Sequence, residues 1–171
     1  MKKTLLVVSA LVCVVAVALA ATWLAEPPLA LPVTAHWLSD FSAASAQAKA
    51  ENKPMLLDFT GSDWCPGCIM LTRDIFDTPQ FKDYADKNLV LVTVDFPVHK
   101  ELPPAITDQN AALQQKFAIE GYPTVILLDS QGNVLSKMLG YNPATVSLPG
   151  FIDQLKQAIA KPAPQSPPAA G

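Results

Sequence analysis

The chain has 171 residues, of which 50% are hydrophobic and 16% charged, so it is long enough for one domain with a full core. Its formal net charge is −3, from 12 lysines and arginines against 15 acidic residues. Because this balance is mildly acidic and leaves no basic stripe, nucleic acid is excluded as a partner class.

The N-terminus has the pattern of an export signal. Lys2 and Lys3 precede an apolar run over residues 5–21, with small residues around Ala20 as at a cleavage site. The run is longer than a usual signal core and reaches the lower limit for spanning a bilayer. We therefore expect residues 1–20 to be a signal peptide or an N-terminal membrane anchor, and the rest to be exported to the periplasm or cell envelope. Cys13, inside this run, is interpreted as apolar filler.

The exported part divides by composition. We expect a proline- and alanine-rich linker over residues 21–36, a folded domain over 37–161, and a disordered tail over 162–171. Within the domain, the patterns predict helices over 40–51, 65–76 and 107–118, a helix restart at Thr78, and a last helix from Ser147. They predict strands over 55–60 and 89–95, a loop over 96–106, and a hairpin of 124–129 with 134–139. Parallel strands joined through helices, followed by a hairpin, predict an α/β fold with a central mixed sheet flanked by helices on both faces.

The predicted helix over residues 65–76 begins with two cysteines three residues apart, in the sequence Cys65-Pro66-Gly67-Cys68. With Cys65 as N-cap, Pro66 falls at N1, where a missing N–H costs nothing. The free amides that follow, together with the helix dipole, favour a thiolate at Cys65. Cys68 then stands close enough to resolve a mixed disulfide.

A lone pair of cysteines at this spacing has two other interpretations, an inert disulfide and half of a zinc site. Zinc usually takes four ligands. The chain offers beyond the pair only Cys13, His36 and His99. A redox-active dithiol that needs no metal and no other cofactor is therefore favoured.

Four motifs together resemble the thioredoxin superfamily, over about residues 37–160. They are the Leu57-Asp58-Phe59 strand, Trp64-Cys65-x-x-Cys68, residues 116–124 with Tyr122-Pro123, and Leu139-Gly140. Within the superfamily the chain looks most like bacterial cell-envelope members, which carry the strand end of residues 58–65 and the helix restart at 76–81. The resemblance implies a thioredoxin fold.

The resemblance also implies roles. Cys65 matches the attacking cysteine, Cys68 the resolving one, and Asp58 the buried aspartate that takes a proton from the resolving thiol. Burial without a partner would raise the pKa of Asp58 toward neutrality and suit it to that role. Pro123 matches the cis-proline opposite the dithiol. The substrate-binding residues implied in this way are Trp64, Pro66, Gly67, Tyr122 and Pro123.

The chain departs from thioredoxin in four places. The residues between the cysteines are reversed in order, and one residue is added between Asp58 and Cys65. Leu91 stands where thioredoxin has a lysine near the aspartate, and the stretch from Asp95 to Pro123 is longer.

These observations predict an exported thiol–disulfide oxidoreductase that acts on protein thiols and disulfides in the cell envelope. Because no histidine lies between the cysteines, we expect a reductase, kept reduced by a membrane electron donor. Two alternatives stay open. One is a non-catalytic binding module on a thioredoxin scaffold, and the other is a copper-handling protein that uses both thiolates with His99.

Overall fold

The computed structural model describes residues 36–161, and its centre is a five-stranded mixed sheet with helices on both faces. The strands are β1 (Trp37–Leu38), β2 (Met55–Thr60), β3 (Val90–Asp95), β4 (Thr124–Leu128) and β5 (Val134–Leu139). The helices are α1 (Phe41–Glu51), α2 (Pro66–Leu71), α3 (Pro79–Asn88), α4 (Pro104–Lys116) and α5 (Leu148–Ala160). A π-helical turn, Thr72–Phe76, follows α2. The predicted α/β thioredoxin fold is confirmed.

The strand order is β1-β3-β2-β4-β5. β3 pairs in parallel with β1 and β2, whereas β4 runs antiparallel to both β2 and β5. β2 is therefore central, and all six of its residues are buried, as its continuous apolar sequence predicted. This places Asp58 in the middle of the sheet.

Two separate cores lie on the two faces of the sheet. Alternation along β2 sends Leu57 and its odd-numbered neighbours toward the core that contains residues of α1 and α4. Leu56 packs in the other core, with α2, α3 and α5. Because Asp58 has the same parity as Leu56, its side chain points to the face that carries the dithiol helix.

The N-terminus of a helix is specified by residues close to it in the sequence, and most of these N-termini were predictable. Thr78 caps α3 through a hydrogen bond from the Phe81 N–H to its Oγ1 at 3.3 Å, with Pro79 in the first turn. Ser147 caps α5 in the same way, by accepting the Gly150 N–H at 3.3 Å.

Two predictions of secondary structure were wrong in detail, and one strand was not predicted. The helix expected from residue 107 begins at Pro104, because Pro104 takes the first helical position, where proline needs no N–H partner, and Pro103 is the N-cap before it. The segment expected to be one helix over 65–76 divides into α2 and the π-helical turn. β1 was not predicted, because a strand of two residues is too short to show a hydrophobic period. It is defined only by its pairing with Leu91 and Val92.

The predictions for residues 1–20, for the tail 162–171 and for the linker up to residue 35 lie outside the described residues. Within 36–161, none of the helices combines the length and the apolar character needed to cross a bilayer.

An aromatic cluster joins α3, α5 and the π-helical turn. Phe81 is fully buried, with ring centroids 5.1 Å from Phe76 and 6.1 Å from Phe151. We expect Phe81→Ala to lower the free energy of unfolding by about 3–5 kcal/mol, because it opens a cavity between three elements. Gln80→Ala, on the exposed side of the same helix, is the control and should change it by less than about 0.5 kcal/mol. Equal effects from both variants in denaturant unfolding would contradict this account of the core.

Candidate active site

The dithiol turn has the local geometry that its sequence predicted. Cys65 is the N-cap of α2 with Pro66 at the first helical turn, and the Cys65 Sγ accepts the Cys68 N–H at 3.3 Å. Cys65 and Cys68 form a disulfide, with their Cα atoms 5.3 Å apart. A helix N-terminus directed at this sulfur stabilises negative charge on it after reduction.

The two sulfurs differ in their surroundings. Cys65 is 5% exposed and Cys68 is 1% exposed. The Cys68 Sγ accepts the Gly61 N–H at 3.5 Å, so it is enclosed between α2 and the turn that follows β2. This arrangement gives an incoming thiolate or disulfide better access to Cys65 than to Cys68.

We expect the reduced protein to show one thiol that titrates below the free-cysteine value of about 8.5, and we expect that thiol to be Cys65. The helix N-terminus favours its thiolate, while Cys68 is enclosed. The rate of alkylation against pH, followed by peptide mass spectrometry, measures this directly. Alkylation of Cys68 before Cys65 would reverse the assignment.

The segment before β4 lies against the dithiol turn. The Tyr122–Pro123 peptide bond is cis, and Pro123 is buried. A Cβ placed on Gly67 would lie 3.2 Å from the Pro123 Cδ, so the two turns are in close contact. Gly67 therefore leaves room for the proline, and a larger residue at this position would push the segments apart.

Trp64 is a surface residue beside the dithiol, since its side chain is 42% exposed. Its Nε1–H donates to the Phe96 carbonyl oxygen at 2.7 Å. Its ring meets Tyr122 edge to face, with centroids 5.8 Å apart. Tyr122 in turn accepts a hydrogen bond from Gln114 Nε2 at 2.8 Å. The two aromatic rings thus form an apolar wall next to Cys65 with their polar atoms satisfied.

The carboxyl group of Asp58 is buried, and one of its oxygens lacks a hydrogen-bond partner. It is 5% exposed, and its Oδ1 has no hydrogen-bond partner. Burial raises the pKa of Asp58 to about 7, and the negative charge of Asp95 adds to this effect. A carboxyl with this pKa can accept or release a proton near neutral pH.

The long loop after β3 is tied to the dithiol turn, a feature that sequence reasoning did not find. The Asp63 carboxylate accepts the backbone N–H groups of Val98 at 3.0 Å and His99 at 2.8 Å. These bonds, the one from Val98 foremost, lower the pKa of Asp63. The sequence contained a signal, since an aspartate in the turn two residues before Cys65 is a ready acceptor for backbone N–H groups, but its partners are more than 30 residues away.

His99, the third ligand of the copper alternative, lies on this exposed loop. In the part of the chain that the structure describes, no group of three or more His, Cys, Asp or Glu side chains is arranged to hold a metal ion.

A dithiol at a helix N-terminus, set on this mixed sheet, defines a thiol–disulfide oxidoreductase. A family model described as a thioredoxin-like domain matches residues 41–155. The chain belongs to the thioredoxin-like family.

Two of the relatives described below are named for disulfide chemistry, and a third is named as thioredoxin-related. The chain is 32% identical over 124 residues to the disulfide bond reductase DsbH of Chlamydia pneumoniae, covering 72% of each chain. It is 29% identical over 111 residues to the thioredoxin-related protein DsbJ of the same organism, covering 65% of this chain but 32% of that one. It spans 15% of the thiol:disulfide interchange protein DsbD of Pseudoalteromonas atlantica.

Solved structures agree on the fold. A structure titled DsbH oxidoreductase superposes with a TM-score of 0.67 at 28% identity, covering 78% of this chain and 92% of that one. A thioredoxin from Thermus thermophilus superposes with a TM-score of 0.55 at 16% identity, covering 73% of this chain and 87% of that one, and supports the fold alone.

Proposed function

We propose that this chain is an exported disulfide reductase that acts on proteins of the cell envelope and receives its electrons from a membrane donor. The observation that carries the exchange chemistry is the buried Asp58 carboxyl, whose Oδ1 has no hydrogen-bond partner, on the face of the dithiol helix. It supplies a proton acceptor for the resolving thiol. A proton acceptor speeds exchange in both directions, so the reducing direction is supported instead by the name of the relative DsbH, a disulfide bond reductase matched over 72% of its length.

In the proposed reaction the Cys65 thiolate attacks one sulfur of a substrate disulfide. A mixed disulfide forms, and the other substrate sulfur leaves as a thiolate and takes up a proton. Cys68 loses its proton to Asp58 and attacks the Cys65 sulfur, and the second substrate sulfur leaves as a thiolate that takes this proton back from Asp58. Two electrons thus pass to the substrate, together with one proton from Cys68 and one from solvent, and the Cys65–Cys68 disulfide remains. A dithiol donor then reduces this disulfide by the reverse exchange.

The substrate segment is proposed to lie across the surface around Cys65. Trp64 and Tyr122 provide apolar contact, and Gly67 lies in close contact with Pro123. Pro66 is exposed at the rim of this surface. Such a surface accepts an extended segment through its backbone and is tolerant of side-chain identity.

The redox potential tests the direction. We expect equilibration with glutathione buffers, read by thiol alkylation, to place the Cys65–Cys68 couple near thioredoxin at about −270 mV. A value near −120 mV is typical of a strong oxidant and would overturn the reductase proposal.

Export is tested independently of the chemistry. Lys2 and Lys3 followed by an apolar run support it. We expect a C-terminal reporter that is active only outside the cytoplasm to be active when fused to this chain. Mass spectrometry of the mature N-terminus then separates cleavage after Ala20 from an anchor. Activity of a cytoplasm-only reporter would contradict export.

A further inference from the structure

The peptide groups of Gly61, in the turn between β2 and the dithiol helix, are bonded to both cysteines. The Gly61 N–H donates to the Cys68 Sγ at 3.5 Å. The Gly61 carbonyl oxygen accepts the Cys65 N–H at 2.9 Å and the Trp64 N–H at 3.2 Å. The Cys65 Sγ has its own backbone donor, the Cys68 N–H at 3.3 Å. Among residues 36–161, each sulfur of the pair is therefore matched with one backbone N–H.

The donor from Gly61 matters because Cys68 is almost closed to water. Cys68 is 1% exposed, and within residues 36–161 no side chain donates a hydrogen bond to its Sγ. A thiolate in such a place has lost its hydration, which costs free energy unless a donor replaces it. Gly61 is buried as well. Because a thiolate is a stronger acceptor than a thiol or disulfide sulfur, the bond strengthens as charge develops on Cys68.

The Trp64 indole explains why position 61 is a glycine. A Cβ built on Gly61 would lie 2.6 Å from the indole Nε1 and 2.7 Å from its Cζ2, which is closer than real Cβ contacts. Gly61 does not have a left-handed φ, so its backbone conformation does not require glycine. The indole is held over Gly61 by its bond to the Phe96 carbonyl oxygen and by its contact with the Tyr122 ring. An added Cβ would therefore displace the Gly61 backbone, and its N–H with it.

We propose that the Gly61 N–H stabilises negative charge on the Cys68 sulfur, and that Trp64 is the positioning residue that keeps this N–H in place. The proposal rests on the proposed role of Cys68 as the resolving cysteine. The charge arises when Cys68 loses its proton and attacks the Cys65 sulfur of a mixed disulfide. It arises again when a donor thiolate attacks Cys65 of the disulfide, because Cys68 is then the leaving group.

Other titratable or charged side chains lie on the same side of the sheet as Cys68. They are Asp58 of β2, Asp95 of β3 with Lys100 bound to it, Tyr84 of α3, and Tyr141 with the Arg73–Asp74 pair beside it. Asp95 accepts hydrogen bonds from Ser62, and the Tyr141 hydroxyl donates to Asp74. These groups are the same in every variant below, so a change in the titration of Cys68 reports on the substituted residue.

The first test follows thiolate formation at Cys68 by its ultraviolet absorbance against pH. The chain has three cysteines, so Cys13→Ala and Cys65→Ser together leave Cys68 as its single thiol. In this background we expect Gly61→Ala to raise the titration midpoint of Cys68 by about one unit, because the thiolate loses a hydrogen-bond donor. Gly150→Ala, in the first turn of α5, is the matched control and should leave the midpoint unchanged.

The second test separates the two exchange steps in the Cys13→Ala chain with dithiobis(nitrobenzoate), an aromatic disulfide. The Cys65 thiolate attacks the reagent and releases one coloured thiolate. Cys68 then attacks the Cys65 sulfur, releases the second coloured thiolate and leaves the Cys65–Cys68 disulfide. We expect Gly61→Ala to slow this second, first-order phase about three- to tenfold near neutral pH, since the loss of thiolate is partly offset by higher nucleophilicity. The pH profile of the phase should move upward with the Cys68 midpoint.

Trp64→Ala tests the positioning role, because it removes the indole from the space above Gly61. In the Trp64→Ala background, the Cβ of Gly61→Ala has room, and the second phase should change by less than about twofold. The proposal is overturned if Gly61→Ala leaves the Cys68 midpoint or the second phase unchanged, or if its effect is the same with and without the indole. A wild-type chain that releases only the first coloured thiolate would contradict the resolving role of Cys68, whereas the titration would still decide the role of Gly61.

Discussion

Cys65→Ser is expected to abolish the reduction of a protein disulfide such as insulin, with a fall in rate of at least about 10³-fold. Cys65 supplies the sulfur that attacks, and neither the enclosed Cys68 nor a serine hydroxyl can replace its thiolate. The measurement is insulin reduction at neutral pH with a chemical dithiol as the electron source.

Cys68→Ser is expected to behave differently from Cys65→Ser, because the attacking thiolate is still present. It should form mixed disulfides that are not resolved, so covalent adducts accumulate in place of turnover. In cells, the proteins caught in this way identify the substrates and the donor.

The reference for both variants is the reduced wild type, since neither variant can form the disulfide. Thermal unfolding must match that reference for the loss of rate to be chemical. If Cys65→Ser keeps full biological function, the chain is a binding module on a thioredoxin scaffold. If Cys68→Ser turns over normally, the resolving role of Cys68 is wrong.

Asp58→Asn is expected to slow turnover near pH 7 by about 10²-fold, the low end of general base catalysis, because thiols are already fairly acidic. In the wild type the pKa of Asp58 is raised to about 7, so the carboxylate form and the rate should increase as the pH passes through that value. The variant should lose this inflection and keep only that of the cysteines. A steady-state rate profile across this range measures the change.

The same substitution should affect stability in the opposite direction. Because burial raises the pKa of Asp58 above its unfolded value, the folded state binds the proton more tightly. The contribution of this proton to the stability of the folded state is therefore fully present below about pH 4. It is lost as the pH rises through the folded-state pKa of about 7. The asparagine side chain of the variant carries no charge, so the variant should match the wild type near pH 4 and exceed it by up to about 4 kcal/mol at pH 8, since each unit of the shift is worth about 1.4 kcal/mol.

Glu120→Gln serves as the control for a lost carboxylate, since Glu120 is exposed and should change neither profile. If Asp58→Asn leaves the rate profile of the enzyme unchanged, Asp58 is a structural residue and another group takes the proton from Cys68. If the stability difference does not grow with pH, the carboxyl is hydrated and its pKa is not raised by burial.

The local features of this protein were determined by its sequence. The cysteine spacing with Pro66 dictates an N-cap, because the first turn of a helix can be built from nearby residues alone. The continuous apolar run of β2 dictates a strand buried on both faces and places Asp58 within it. The fold class followed from the order of such elements, since right-handed crossovers and short connections leave few arrangements.

The tertiary structure alone decided the surroundings of the site. The contacts between Asp63 and Val98 and between Asp95 and Lys100 involve a loop with no period, and β1 exists only through its pairing with β3. The Oδ1 of Asp58 likewise has no hydrogen-bond partner because none of the elements around it supplies a donor. These features could not be predicted because hydrophobic periodicity specifies which face of an element is buried, but not which polar groups from distant segments meet there.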